Sequence, residues 1–249
     1  MKFGKMTKLN DGNGAVVCDI CGKIIRQGTS DFAVDICNDC QKQPPVIDNF
    51  DLITDIMDFD YPEDTFYWIQ ILKRKKDNPE MKHDCICYKS YYFYNVEELL
   101  KAKEEIIKLC KTFNARAVMW VNPRRLTELS LPVAQMALEY TQSNQFKALP
   151  KVFDHVCGKH YQKNTPQLYI VDVDSKNVEY LNKVLNIVKT CANPSQDFEI
   201  RKILPTLHGY HIICNGFNLH QFEQLCIIEC VGNIDVHKDN PTVLYFCPQ

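Results

Sequence analysis

Two kinds of spacing in this chain can do chemistry: acids two residues apart at the end of a strand, and cysteines paired as C-x2-C. In Leu168-Tyr169-Ile170-Val171-Asp172-Val173-Asp174, β-favouring residues run into two acids. Strand side chains alternate, so Asp172 and Asp174 are expected on one face, about 7 Å apart along the backbone. Two carboxylates that close are costly unless a positive charge lies between them. A divalent cation is the natural occupant, and hard oxygen ligands select Mg²⁺ or Mn²⁺ over softer metals. The alternative is an acid pair that opens a loop, for which the following Ser175-Lys176-Asn177 is suitable composition.

The cysteines make a different site. Cys18 and Cys21 are followed by Cys37 and Cys40, two C-x2-C pairs at the spacing of a zinc ribbon. Four thiolates close a tetrahedral site around one Zn²⁺, leaving no open position, so its expected role is structural. The chain has thirteen cysteines in all. Most of the other nine sit in apolar stretches, where a free thiol behaves as a small hydrophobe. That pattern fits a reducing compartment rather than a disulfide framework.

At 249 residues and 45% hydrophobic content, the chain can bury one sizeable core plus a small appendage. A formal net charge of -2 argues against a protein that coats nucleic acid non-specifically, since such binding needs many cationic contacts to phosphate. Local basic patches remain compatible with it. No apolar run approaches the roughly 20 residues of a membrane span, and Met1 to Lys5 lacks the apolar core of a secretory signal. The expectation is a cytoplasmic protein with no membrane partner.

The elements that must position these residues follow from periodicity and punctuation. Gln43-Pro44-Pro45 reads as a linker, which divides the chain into a ribbon over 1–45 and an α/β domain over 46–249. Strands are expected at Phe66–Leu72, Cys85–Tyr94, Ala115–Asn122, Gln167–Asp174, Phe198–Leu204 and Gly209–Cys214, with further strands at Ile227–Glu229 and Val243–Phe246. Helices are expected after Asn95, over Thr127–Tyr140 and Val178–Cys191, and as a short segment over Leu219–Cys226. Asn95, followed by Glu97 and Glu98, has the form of an N-cap with an acidic first turn. Strands and helices alternate without repeats, so the fold class is α/β (α+β), a mixed sheet with flanking helices.

Within that frame a histidine and a third acid become candidates. In Leu207-His208-Gly209-Tyr210-His211, Gly209 permits close backbone approach by a ligand, and alternation puts His211 on the same face as Gly209. Asp235, ahead of the last strand, is placed to complete a metal-binding trio. Arg124 and Arg125, or the run Lys73 to Lys76, are cations available to neutralise phosphate. For both groups the competing reading is a solvated charged surface.

An acid-x-acid strand, a Gly-x-His strand and a later hydrophobic-Asp resemble the three motifs of archaeo-eukaryotic primases, a superfamily that includes primase-polymerases and the polymerase domain of bacterial end-joining ligases. The resemblance spans about residues 165 to 246. It implies an RRM-like palm, metal-binding roles for Asp172, Asp174 and Asp235, and a nucleotide-phosphate contact for His211. Ile234-Asp235 followed by Lys238, Asn240 and Thr242 also looks like the pattern after the ligase-linked polymerases' third acid, which adds Lys238 to the nucleotide-binding candidates. The activity so implied is metal-dependent nucleotidyl transfer on single-stranded or primed nucleic acid, using nucleotide triphosphates. The ribbon would grip a template or a replication protein. A metal-dependent nuclease and a non-catalytic nucleotide- or nucleic-acid-binding adaptor are the alternatives that the same residues leave open.

Overall fold

The computed structural model describes residues 15–17, 24–27, 38, 46–58, 63–159, 167–192 and 198–248. In chain order the strands are β1 (Ala15–Val17), β2 (Ile24–Gln27), β3 (Ile47–Asp48), β4 (Thr65–Arg74), β5 (Cys85–Phe93), β6 (Arg116–Trp120), β7 (Arg124–Arg125), β8 (Leu168–Val173), β9 (Ile200–Pro205), β10 (Tyr210–Asn215), β11 (Asp235–His237) and β12 (Pro241–Phe246). The helices are α1 (Phe50–Thr54), α2 (Val96–Phe113), α3 (Leu126–Gln142), α4 (Val152–Cys157), α5 (Val178–Thr190) and α6 (Leu219–Ile228), with a 3₁₀ turn over Phe146–Lys151 before α4. None of the helices among the described residues is long and apolar enough to cross a membrane.

The expected mixed α/β class with flanking helices holds, built on antiparallel sheets. The chain divides into two compact units whose segments alternate along it. The first takes residues up to Ile56 and Leu168–Lys238, and the second takes Met57–Gln167 and Asp239–Cys247. Near the N-terminus, β1 pairs antiparallel with β2 and so brackets Cys18 and Cys21. The four ribbon cysteines, Cys18, Cys21, Cys37 and Cys40, lie outside the described residues.

From β8 onward the first unit is β-α-β-β-α-β, with its sheet in the order β11-β8-β10-β9 and every neighbouring pair antiparallel. This is the split β-α-β arrangement: each helix crosses one face and returns the chain to a non-adjacent strand. Alternation does the sorting. Val171 and Val173 of β8 and Tyr210, Ile212 and Cys214 of β10 point to the helix side, where Leu181, Val184, Leu185 and Val188 of α5 and Phe222 and Cys226 of α6 bury them. Asn177 caps α5 by accepting from the amides of Glu179 (2.8 Å) and Tyr180 (3.1 Å). Asn218 does the same for α6 through Gln221. Ile227 and Ile228, expected to open a strand, instead finish α6, where both are exposed.

In the second unit the sheet runs β12-β6-β4-β5, and β7 pairs with the start of β4. A core of Phe66, Trp68, Leu129, Val152, Val156 and Cys157 lies under α3 and α4. Asn95 caps α2 as its sequence indicates, accepting from the Glu98 amide at 2.9 Å. Asp64 caps α3 from outside the helix, accepting from the Thr127 hydroxyl at 2.6 Å and the Thr127 amide at 3.0 Å. Those two bonds, the hydroxyl's first, with a lesser contribution from Arg125, lower the Asp64 carboxyl to about 2.

Candidate functional site

Strand register brings three of the expected residues into one row. Asp172 of β8 lies directly opposite His211 of β10 on one side and directly opposite Asp235 of β11 on the other. Residues paired in this way share a face of the sheet, with Cα atoms about 4.5–5.5 Å apart. Because Val171 and Val173 take the helix side, the row Asp235–Asp172–His211 falls on the opposite face. His211 Nε2 lies 3.4 Å from Asp172 Oδ1, and the two side chains are partly shielded, at 13% and 29% exposure. Asp235 is exposed, so the row grades from a shielded imidazole to an open carboxylate.

Asp174 sits differently from Asp172. Strand β8 ends at Val173, and the Ser175 amide donates to the Val173 carbonyl at 2.8 Å, which closes a three-residue turn centred on Asp174. Asp174 is exposed on that turn. The i, i+2 alternation expected for two acids on one strand therefore gives way at the second of them.

Gly209 explains why the turn lies where it does. A Cβ built on Gly209 would meet the Val173 carbonyl oxygen at 1.8 Å and the Ser175 nitrogen at 2.6 Å. The close approach read from the sequence is real, but its partner is the chain's own backbone at Val173–Ser175 rather than a ligand. The Gly209 amide donates to the Thr206 hydroxyl at 3.0 Å, and its carbonyl accepts from the Thr206 amide at 2.8 Å, which holds the glycine in the β9–β10 turn. Gly209 thus seats the acid-bearing turn against the start of the histidine strand. Gly209→Ala is expected to displace that turn and lower the melting temperature by several degrees, as checked by thermal unfolding; an unchanged melt would mean that the backbone relaxes freely there.

Other expected residues occupy other surroundings. Lys238 lies just past β11, its Nζ 5.9 Å from the ring centre of Tyr169, and Tyr169 packs against the helix-side core. Lys238 is thus associated with the face opposite the acid row. Arg124, in the second unit, is fully buried. Its Nη2 donates to Asp239 Oδ2 at 2.8 Å, its Nη1 to the Asn122 carbonyl at 2.7 Å, and its Nε to the Cys157 carbonyl at 2.8 Å. Arg125 holds Asp64 at 3.1 Å. Both arginines are committed to protein partners, and both stabilise local structure: the return of the chain at Asp239 and the start of α3.

One residue on the acid row's face was not singled out from the sequence. His237 lies two positions beyond Asp235 and opposite Ile170, so it shares that face. The signal was the Asp-x-His spacing, hidden because three residues are too few to show strand alternation.

The donor set of the row suits a hard cation, since two carboxylates opposed across adjacent strands repel one another unless positive charge joins them. Among the described residues, no three His, Cys, Asp or Glu side chains are gathered as metal ligands in the conformation seen. Comparison with family models, with curated proteins and with solved structures finds no match to this chain.

Proposed function

We propose that the first unit is an RRM-like palm of the primase-polymerase type, and that the Asp235–Asp172–His211 row is the centre of metal-dependent nucleotidyl transfer. The observation that carries this reading is register: Asp172 faces both His211 and Asp235 across a β-α-β-β-α-β sheet. A site of this kind needs acids and a phosphate contact drawn from separate strands onto one open face, and the order β11-β8-β10-β9 supplies that. Asp172 and Asp235, with Asp174 beside them on its turn, would hold Mg²⁺ or Mn²⁺. The ion, when bound, neutralises triphosphate charge and lowers the cost of bringing an oxygen nucleophile to phosphorus.

The protein's own contribution is placement. Asp172 orients the His211 ring through the 3.4 Å contact, and His211 offers a nitrogen to a nucleotide phosphate from the shielded end of the row. Asp235 leaves the other end open to solvent. Arg124 and Arg125 have no part in this reading, since each is held by a carboxylate of its own surroundings, Asp239 and Asp64.

The test is incubation of the whole protein with labelled nucleotide triphosphate, primed template and Mn²⁺. Extension of the primer is expected. Degradation of the strands would favour a nuclease instead, and retention of nucleotide without either change would favour a non-catalytic adaptor. We further propose that Cys18, Cys21, Cys37 and Cys40 hold one structural Zn²⁺ beside the β1–β2 hairpin, giving a ribbon that grips the template or a replication partner. Metal analysis of freshly purified, reduced protein is expected to find one zinc per chain, and a chain free of zinc would end that part of the proposal.

A further inference from the structure

The β4–β5 hairpin of the second unit ends in a concentration of outward-facing cations that the proposed site does not use. Arg74, Lys75 and Lys76 on the outgoing arm and Lys82 on the returning arm are all exposed. The acids that would offset them are mostly occupied. Asp77 is drawn inward by Arg116, which donates to it through Nε at 2.6 Å and through Nη2 at 2.5 Å, with both side chains almost fully buried. Glu80 is paired with Lys73 at 3.3 Å. Asp84 remains as an exposed acid of the hairpin.

The end of the hairpin is also fixed in place. Asn78 is buried, and its side-chain amide donates to the Arg74 carbonyl at 3.1 Å and to the Asn114 carbonyl at 3.0 Å. Asn114, in a left-handed conformation at the end of α2, returns a bond from its own amide to Asn78 Oδ1 at 3.0 Å. A charged loop tip that served only solubility would not need such an anchor. This one holds its cations on a rigid frame against the last turn of α2.

The same hairpin carries an exposed aromatic ring. Strand pairing skips Tyr88: Leu72 pairs with Cys87 and Ile71 with Lys89, so Tyr88 is the extra residue of a bulge on the sheet's edge strand. A bulge of this kind re-aims a side chain. Tyr88 stacks on Phe113 of α2, ring centres 4.1 Å apart and planes 14° off parallel, while remaining 41% exposed. Phe113 backs one side of the tyrosine ring and stiffens it. Ile86, opposite Lys73, adds an exposed apolar side chain between the ring and the tip.

We infer that this end of the second unit binds single-stranded nucleic acid, with Tyr88 stacking on a base and Lys75 and Lys76 of the hairpin tip contacting phosphates. A backed aromatic ring on the same hairpin as a cluster of exposed cations is the pairing that a strand of unstacked bases on a polyanionic backbone requires. A duplex hides its base faces, and an acidic peptide or inorganic polyphosphate has none, so neither would make use of Tyr88. The site reads no sequence, because every base has a face to stack. It is built entirely from second-unit residues and stands whether or not the Asp172 row transfers nucleotides.

The experiment is fluorescence anisotropy on the whole protein with labelled oligothymidylate of about 16 nucleotides, with a duplex of equal length and inorganic polyphosphate as competitors. The single strand is expected to bind more tightly than the duplex, and polyphosphate to compete poorly. Lys75→Gln/Lys76→Gln should weaken binding and reduce the salt slope by about 1.4, or about 0.7 for each lost contact. Tyr88→Ala should weaken binding by about tenfold, and Tyr88→Phe should restore it. Binding is expected without added nucleotide or divalent cation, which separates this site from the proposed metal-dependent active site. Unchanged affinity and salt slope in the lysine variant would overturn the inference, as would polyphosphate competing as well as the strand. If Tyr88→Ala proves unstable, the lysine variant and the competitors decide.

Discussion

Arg124→Ala is expected to cost about 3–5 kcal/mol, enough to unfold the second unit in most conditions. The side chain is fully buried, and its removal takes the guanidinium donors from the Asp239 carboxylate, which keeps only a long bond from the Asn122 amide at 3.4 Å, and from the carbonyls of Asn122 and Cys157. An uncompensated buried charge is the larger part of that cost. Arg124→Lys should lose nearly as much, since an ammonium cannot span both Asp239 oxygens and the two carbonyls together. The double variant Arg124→Met/Asp239→Leu is expected to be more stable than Arg124→Ala, because it removes the orphaned charge along with its partner.

The pH dependence of Arg124→Ala should carry a particular sign. Burial already raises the Asp239 carboxyl above its ordinary value, with Arg124 opposing that rise. Without the guanidinium, burial acts with its main opponent gone and the folded state holds its proton to a higher pH than the unfolded state does. A folded state that binds more protons loses stability as pH rises. The variant should therefore be least impaired in acid, and its deficit should grow as pH climbs through the raised carboxyl value toward neutrality. Urea unfolding at several pH values measures this. A loss below about 1 kcal/mol at neutral pH, the range of an exposed pair, would show that the Arg124–Asp239 contact is only a surface one.

The second large effect is expected at Asp172. Asp172→Asn should abolish metal-dependent chemistry while leaving the apo protein as stable as the wild type or slightly more so, because it relieves the cross-strand repulsion with Asp235. Mn²⁺ at about 100 times its dissociation constant should stabilise the wild type by about 2.7 kcal/mol, and the variant by much less. Four melting curves suffice, each protein with and without Mn²⁺. Stabilisation that persists undiminished in Asp172→Asn would place the ion elsewhere and count against the proposed site.

Much of the sheet was legible because its strands carry strong local signals. Val171 and Val173 alternate with Asp172, Asn95 caps α2, and Leu99, Ala102, Ile106 and Leu109 repeat at helical spacing, with Leu99 and Ile106 fully buried and Ala102 and Leu109 half-buried. What sequence alone could not supply was register. The i, i+2 relation of Asp172 to Asp174 is local and was overridden by a turn that begins at the strand end. The relation of Asp172 to His211 and Asp235 depends on how two helices return the chain, and no local pattern encodes it. Arg124 shows the same limit from the other side. Beside Pro123 it looks like a surface charge, but its partner Asp239 is 115 residues away. Ile227 and Ile228 have strand-like composition, yet the Asn218 cap had already committed the segment to a helix. The Phe146–Lys151 turn and α4 were missed because both are short and neither has a full turn of clean periodicity.

The alternation of segments between the two units also sets the order in which they can be completed during synthesis. Everything needed for the β-α-β-β-α-β sheet has been made once residue 238 has left the ribosome. The second unit begins earlier but must wait, because its strand β6 acquires its neighbour β12 only with Pro241–Phe246. Until Asp239 emerges, the Arg124–Asp239 ion pair cannot form. The second unit is thus held incomplete until the first unit has been made in its midst, and a released chain truncated after residue 238 should carry a protease-resistant first unit beside a second unit that is still open to cleavage.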